Sequence, residues 1–203
     1  MSIIYFRTFE EEDWEKIYQW KNDDDLNQYN VGLNRKISKE EAQKWVKDRI
    51  NYKLYEVWWA ICSSFNHKLI GYASLTDIHF INRSANFSGI KIADKKFQDG
   101  LAWIETYLFV LDYVFEKLNL NRIYGSKLES HPQTNIISKA FYFQIEGIKK
   151  EAIFKNGKYH NLIDSALLSQ DYIFHKNNGD YELKKIIKRI VSIKKDNPYI
   201  INK

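Results

Sequence analysis

Gly89-Ile90-Lys91-Ile92-Ala93-Asp94-Lys95-Lys96-Phe97-Gln98-Asp99-Gly100-Leu101-Ala102-Trp103 changes character within a few residues, and that change sets the architecture. Ile90 to Ile92 ends an extended segment with some alternation, a polar loop follows, and an apolar run from Leu101 to Leu118 begins directly after Gly100. Glu105, Asp112, Glu116 and Lys117 interrupt that run, so it reads as a buried helix and not as a membrane span. Where a strand passes into a helix through a short loop, free backbone N–H groups meet the positive end of the helix dipole, which favours an anion. Gly100 and the small Ala102 let a pyrophosphate approach the backbone closely.

Upstream, residues 3–8 read as a short strand. Glu10 to Asp13 then opens a helix carrying Trp14, Ile17, Tyr18 and Trp20, since acidic residues in a first turn complement the dipole. The run Lys21-Asn22-Asp23-Asp24-Asp25 breaks it. Ser38-x-x-Glu41 is a capping box for a second helix reaching about Lys53. Residues 56–63 and 69–76 read as a hairpin around Phe65-Asn66-His67, and residues 82–92 as a third strand with a bulge at Ser88-Gly89. Downstream, residues 121–129 read as a strand and Pro132 opens a helix to about Phe143. Residues 145–154 and 159–168 form a last hairpin around Asn156-Gly157. Apolar residues at 183, 186, 187, 190, 191 and 193 mark a C-terminal amphipathic helix. The order β-α-α-β-β-β-α-β-α-β-β implies one mixed α/β domain over residues 1–173 and a basic, helical extension over 174–203.

Composition bounds the function. With 44% hydrophobic and 16% aromatic residues, two prolines and eight glycines in 203 residues, the chain is neither disordered nor fibrous. A single cysteine, Cys62, excludes an intramolecular disulfide framework and a cysteine-rich zinc site. The acidic residues within the first ten positions do not suit a signal peptide, so the cytoplasm is the expected compartment. Residues 170–203 hold seven Lys and one Arg against three Asp and one Glu, most of the +5 net charge. A solvated helix face explains that tail, and nucleic acid is not an expected partner.

Four segments together resemble the GCN5-related N-acetyltransferase superfamily, in its ribosomal-protein N-terminal acetyltransferase branch, over roughly residues 3–173. They are Ile70-Gly71-Tyr72-Ala73-Ser74-Leu75-Thr76-Asp77-Ile78 with Asn82-Arg83-Ser84-Ala85; Phe97-Gln98-Asp99-Gly100-Leu101-Ala102; Leu118-Asn119-Leu120-Asn121-Arg122-Ile123-Tyr124; and Glu146-Gly147 through Phe154 to Asn161. The resemblance implies an α/β (α+β) fold: a mixed, mostly antiparallel sheet flanked by helices, with a splayed strand pair for acyl-coenzyme A. It implies that Ile90, Lys91 and Ile92 offer backbone groups to the pantetheine and thioester. Gln98, Asp99, Gly100, Leu101 and Ala102 would hold the diphosphate. Phe97 stands where the family commonly has Arg or Gln, and Asp99 brings a negative charge that Lys95 and Lys96 offset.

Acyl transfer to an amine needs a neutral amine, a stabilised oxyanion and a proton for the thiolate. On the family register the usual Tyr falls on Ser138, an upstream Asn on His131, a common acidic position on Asn86 and a glycine on Tyr142. Candidate catalytic residues are therefore His131, which is equally a helix cap, Glu129 acting through water, and Ser138. Trp20-Lys21-Asn22-Asp23 resembles the Trp-Arg-Asn stretch of amino-sugar N-acyltransferases. Trp20, Lys21, Asn22, Asp77, Asn86, Lys158 and His160 are the candidate acceptor residues, and Lys21, Arg35 or Lys158 suits a diphosphate. The expected activity is acyl-coenzyme A-dependent N-acylation of a nucleotide-linked amino sugar in surface-glycan synthesis, without a metal and possible as a homo-oligomer. Acetylation of a protein N-terminus and non-catalytic coenzyme A binding are the alternatives.

Overall fold

The computed structural model describes residues 2–32, 35–51 and 53–196. Its elements are β1 (Ile4–Arg7), α1 (Trp14–Lys21), α2 (Lys39–Ile50), β2 (Val57–Ser63), β3 (Leu69–His79), β4 (Ser84–Ile92), α3 (Leu101–Asp112), β5 (Arg122–Leu128), α4 (Pro132–Ala140), β6 (Gln144–Lys155), β7 (Lys158–Leu168), α5 (Ser169–Asn177) and α6 (Leu183–Asp196). The strands run in the order β1-β2-β3-β4-β5-β7-β6, antiparallel in the β1–β2, β2–β3, β5–β7 and β6–β7 pairs and parallel between β4 and β5. The expected mixed, mostly antiparallel α/β fold is the one observed. Among the described residues no helix is long and apolar enough to cross a membrane.

Backbone contacts group the chain into two compact units. The first runs to Ile78 and adds Phe87–Thr106. Its core gathers Phe9, Ile17, Trp20, Val46, Ala60, Cys62 and Leu69. Ile17 and Trp20 lie three apart on α1, and Ala42 and Val46 four apart on α2, so each helix buries one stripe. Burying side chains of this size stabilises the fold by about 1.5–3 kcal/mol each. The capping box of Ser38 and Glu41 forms as the sequence predicts. Arg7 grips the buried Asp13 with two hydrogen bonds of 2.7 and 2.8 Å, fixing the entry into α1. Gly71 has a steric reason: a Cβ there would stand 2.0 Å from the Lys91 carbonyl oxygen.

The second unit comprises His79–Asn86 and Tyr107 onward. β4 pairs with β5 through Ser84–Asn86 against Arg122–Tyr124. β5 pairs along its whole length with β7, from Arg122↔Leu168 to Leu128↔Leu162. Asn156 and Gly157 take φ values of 53° and 76°, which is what a tight Asn-Gly hairpin turn demands. Tyr107 packs on Phe141 with ring centroids 5.0 Å apart, and Phe115 stacks on Tyr172 at 4.7 Å.

Several boundaries differ from the sequence expectation for local reasons. α2 stops at Ile50 because Asn51 turns extended (φ −70°, ψ 130°). β4 begins only after Arg83, which has φ 52°. The long helix expected to Leu118 is α-helical to Asp112 and closes in a π-helical turn over Tyr113–Lys117. α4 ends at Ala140, short of Phe143, since Tyr142 takes φ 66°. α5 was not expected at all; it starts directly from the end of β7 with no loop to announce it. At Gly89, where the sequence suggests a bulge, a Cβ would meet Ser74 Oγ at 3.0 Å, so the residue has a packing reason to be glycine.

Candidate active site

The segment that opened the sequence reading lies wholly in the first unit as far as Thr106. β4 ends at Ile92, a short 3-10 turn covers Lys95–Phe97, and α3 begins at Leu101. Gly100 takes φ 112°, a conformation side-chain-bearing residues rarely adopt, and beyond its chain neighbours no described atom lies within 4 Å of where its Cβ would be. Backbone conformation and open space therefore coincide at the helix start. The Gln98 amide donates to the Ile92 carbonyl at 3.0 Å and holds the loop against the strand end. Asp99, expected as a negative charge offset by Lys95 and Lys96, also accepts from Leu101 N–H at 3.1 Å. It caps α3 and occupies one first-turn donor. Ala102 is buried, and its carbonyl accepts from Thr106 Oγ1 at 2.7 Å.

Lys91 offers more than backbone. Its ammonium donates to Asn27 Oδ1 and to the Leu26 carbonyl, the latter at 3.3 Å, and so ties β4 to the α1–α2 connection. Asn27 is buried and also donates to the Trp20 carbonyl at 2.7 Å. Beside it is a cavity of about 350 Å³ lined by Lys21, Asn27, Arg35, Glu41 and Trp45, among others. Of the acceptor candidates, Trp20 packs in the core, so its ring is structural. Asn22 commits both side-chain groups to Ile37, donating to its carbonyl at 3.1 Å and accepting from its N–H at 2.8 Å. Lys21 reaches the cavity and lies 4.9 Å from the Trp45 ring centroid. Burial, then Arg49 and Arg35, push its pKa down. Asp77 sits in the first unit with φ 50°.

Sequence reasoning missed three residues here. Arg49 packs its guanidinium between Trp45, at 3.7 Å, and Trp58, at 4.2 Å. Trp45 and Arg49 are four apart on α2, the helical spacing that brings a ring and a cation together, and that spacing was available as a signal. Burial lowers the Arg49 pKa, and burial pushes the Tyr72 hydroxyl up to about 12 despite the nearby Arg49.

The remaining candidates belong to the second unit. His131 is the N-cap of α4, its Nδ1 accepting from Thr134 N–H at 3.5 Å. Burial, with Lys127 second, lowers its pKa to about 4, so the ring is neutral at neutral pH. Ser138 is buried and accepts from Lys127 Nζ at 2.6 Å, with Ser165 Oγ accepting from the same ammonium at 3.1 Å. Burial lowers the Lys127 pKa to about 8. Glu129 is exposed and accepts from Asn161 Nδ2 at 2.9 Å. Asn86 sits opposite Tyr124 in the β4–β5 register. Lys158 opens β7 at the hairpin, and His160 Nε2 lies 3.2 Å from the Lys155 carbonyl oxygen. Ser138, Lys127 and Ser165 are thus brought together, while Glu129 stands apart from them with Asn161.

Residues 4–141 match the family described as "Acetyltransferase (GNAT) domain". A spermidine N(1)-acetyltransferase of Vibrio cholerae is 33% identical over 106 residues, covering 52% of this chain. The chain matches 60% of that relative's length. The solved structure of spermidine N-acetyltransferase from Vibrio cholerae in complex with CoA and spermine superposes with a TM-score of 0.74 at 26% identity, covering 84% of this chain and 98% of that one. A dodecameric structure of the enzyme from the same organism covers 84% and 96% with a TM-score of 0.67, also at 26% identity. The motifs pointed to the ribosomal-protein branch, whereas these relatives are spermidine acetyltransferases. The matched span runs from β1 through α4 and includes the Gly100 loop. The chain belongs to the GNAT acetyltransferase family.

Proposed function

We propose that the protein is an acyl-coenzyme A-dependent N-acyltransferase of a small-molecule amine. The observation that carries the reading is Gly100, with its positive φ and open surroundings at the start of α3 in a chain of this family. First-turn amides of a helix lack intrahelical acceptors and favour the charge of a diphosphate. Lys95 and Lys96 stand three to four residues ahead of Asp99 in the same loop. On this reading the end of β4 orients the thioester, and the acceptor amine attacks its carbonyl directly in a ternary complex.

Among the described candidates, neither His131 nor Ser138 offers a strong base. His131 is neutral and capping, and Ser138 already accepts from an ammonium. Proximity and orientation then supply most of the rate, which suits an amine of low basicity such as an amino-sugar nitrogen. A nucleotide-linked amino sugar is the acceptor favoured by the chain's own residues. Spermidine is the second reading, favoured by the substrate named for the 33% identical relative. Self-association also belongs to the proposal, because a relative is dodecameric and α6 leaves Leu183, Ile187 and Val191 exposed.

Calorimetry with acetyl-coenzyme A, followed by thiol release on a panel of amines, tests the activity. Saturable donor binding and acceptor-dependent thiol release are expected. Failure of the purified chain to bind acetyl-coenzyme A overturns the reading.

A further inference from the structure

We propose that the cavity formed by the α1–α2 connection and α2 receives a phosphate or diphosphate group of the acceptor, with Lys21 as its counter-charge; this rests on the N-acyltransfer reading above. Two cations meet one aromatic surface here. The Lys21 ammonium and the Arg49 guanidinium lie 4.9 and 3.7 Å from the Trp45 ring centroid. Among the described residues no carboxylate stands within ion-pair distance of either. Arg49 donates from Nη1 to the Trp45 carbonyl at 2.9 Å, but its Nε is buried and has no hydrogen-bond partner.

The acids nearby offset these cations only in part, Glu56 and Asp48 acting on Arg49 from beyond ion-pair distance. Glu41 accepts both Arg35 nitrogens, at 2.6 and 3.2 Å, and the Ser38 N–H at 2.9 Å. Glu56 bonds Lys53 and Trp58. Asp48 lines the cavity as an exposed residue, opposite in effect to Lys21, Arg35 and Lys44 around the same space. Half-buried cations without a counter-ion are costly, and an incoming anion relieves that cost. The same field opposes a polycation such as spermidine.

Position supports an acceptor role. Asn27 lines the cavity and is held by Lys91, so this wall is fastened to the strand that leads to the Gly100 loop. A competing account has Lys21 merely complementing the C-terminal dipole of α1. That role affects helix stability and leaves acceptor choice untouched, which makes the two separable.

The test compares glucosamine, glucosamine 6-phosphate, a UDP-linked 4-amino sugar and spermidine as acceptors, in the native chain and in Lys21→Met. The phosphorylated amines are expected to exceed glucosamine and spermidine by about tenfold in kcat/KM, as one charge-assisted contact allows. The monophosphate and the nucleotide diphosphate arms separate a sugar phosphate from a nucleotide sugar as the source of the anion. Lys21→Met is expected to remove that advantage through KM, with melting temperature and acetyl-coenzyme A affinity unchanged. Equal or better turnover of spermidine or glucosamine, or an advantage that survives in Lys21→Met, overturns the inference. If acetyl-coenzyme A binds but no amine turns over, titration with inorganic pyrophosphate decides. Binding weakened about tenfold by Lys21→Met supports the subsite, and equal or absent binding in both proteins overturns it. Failure to bind acetyl-coenzyme A overturns the N-acyltransfer reading instead, and the pyrophosphate titration still judges the cavity.

Discussion

The Asp99 carboxylate has two opposed effects at one place. It caps Leu101 N–H, and it sets a negative charge beside the proposed diphosphate position. Asp99→Asn keeps an oxygen for the cap and removes the charge. Acetyl-coenzyme A affinity is expected to rise by roughly threefold, read by calorimetry, with less gain at high salt. His131 gives a second prediction. Its folded pKa of about 4 lies below the usual 6.5, so the unfolded chain takes up the proton first. Its contribution to stability is present above pH 6.5 and is lost as the pH falls toward 4. His131→Asn retains a capping side chain and should flatten the fall of melting temperature across that window. Residues such as these were readable in kind but not in partner. The sequence left His131 open between base and cap, and the 3.5 Å approach of Thr134 N–H to its Nδ1 shows the cap. Ser138 could be found by register, but Lys127, eleven residues away on β5, could not be assigned to it without the fold.

The starts of α2 and α4 and the β6–β7 turn were read correctly because a capping box, a Pro start and an Asn-Gly pair are local signals. α5 had no such signal. Its apolar Tyr172, Ile173 and Phe174 are consecutive, so they show no helical spacing, and Leu168 both ends β7 and flanks the helix. The end of α4 was misplaced because a bulky aromatic stands where the backbone needs a positive φ. Tyr142, at φ 66°, stacks on His175 with ring centroids 3.4 Å apart and receives Arg189 over its face at 4.6 Å. Both Tyr142→Ala and Tyr142→Gly lose those contacts, but only glycine relaxes the backbone. The alanine variant is expected to be less stable than the glycine variant by about 1 kcal/mol in urea unfolding. Equal stabilities would mean that the conformation carries no strain.

For the whole molecule, the order of elements, the mixed and mostly antiparallel sheet and the loop before α3 were recognisable because the family pattern fixes which strands precede which helix. The proposed acceptor cavity was legible only in part: Lys21 and Arg35 were named from the sequence, but their meeting with Trp45 and Glu41 of α2 is recorded by no contiguous motif. Assembly is equally invisible in sequence. α6 buries Ile186 on one side and leaves Leu183, Ile187 and Val191 exposed along another. If a second copy covers that side, Ile187→Lys with Val191→Lys should reduce the mass measured by light scattering without changing the melting temperature by more than a few degrees. Unchanged mass removes α6 from the proposed interface.

Lys91 has a consequence that reaches beyond either substrate. Its backbone belongs to the strand proposed for the donor, and its ammonium ends on Asn27 and Leu26 at the edge of the cavity proposed for the acceptor. On that proposal this anchored side chain acts as a ruler between two binding events. Residues facing the acceptor can be exchanged, and new amines admitted, while the interval between loop and strand stays constant. Lys91→Met would leave the ruler without its end mark, and donor and acceptor would then be gauged independently.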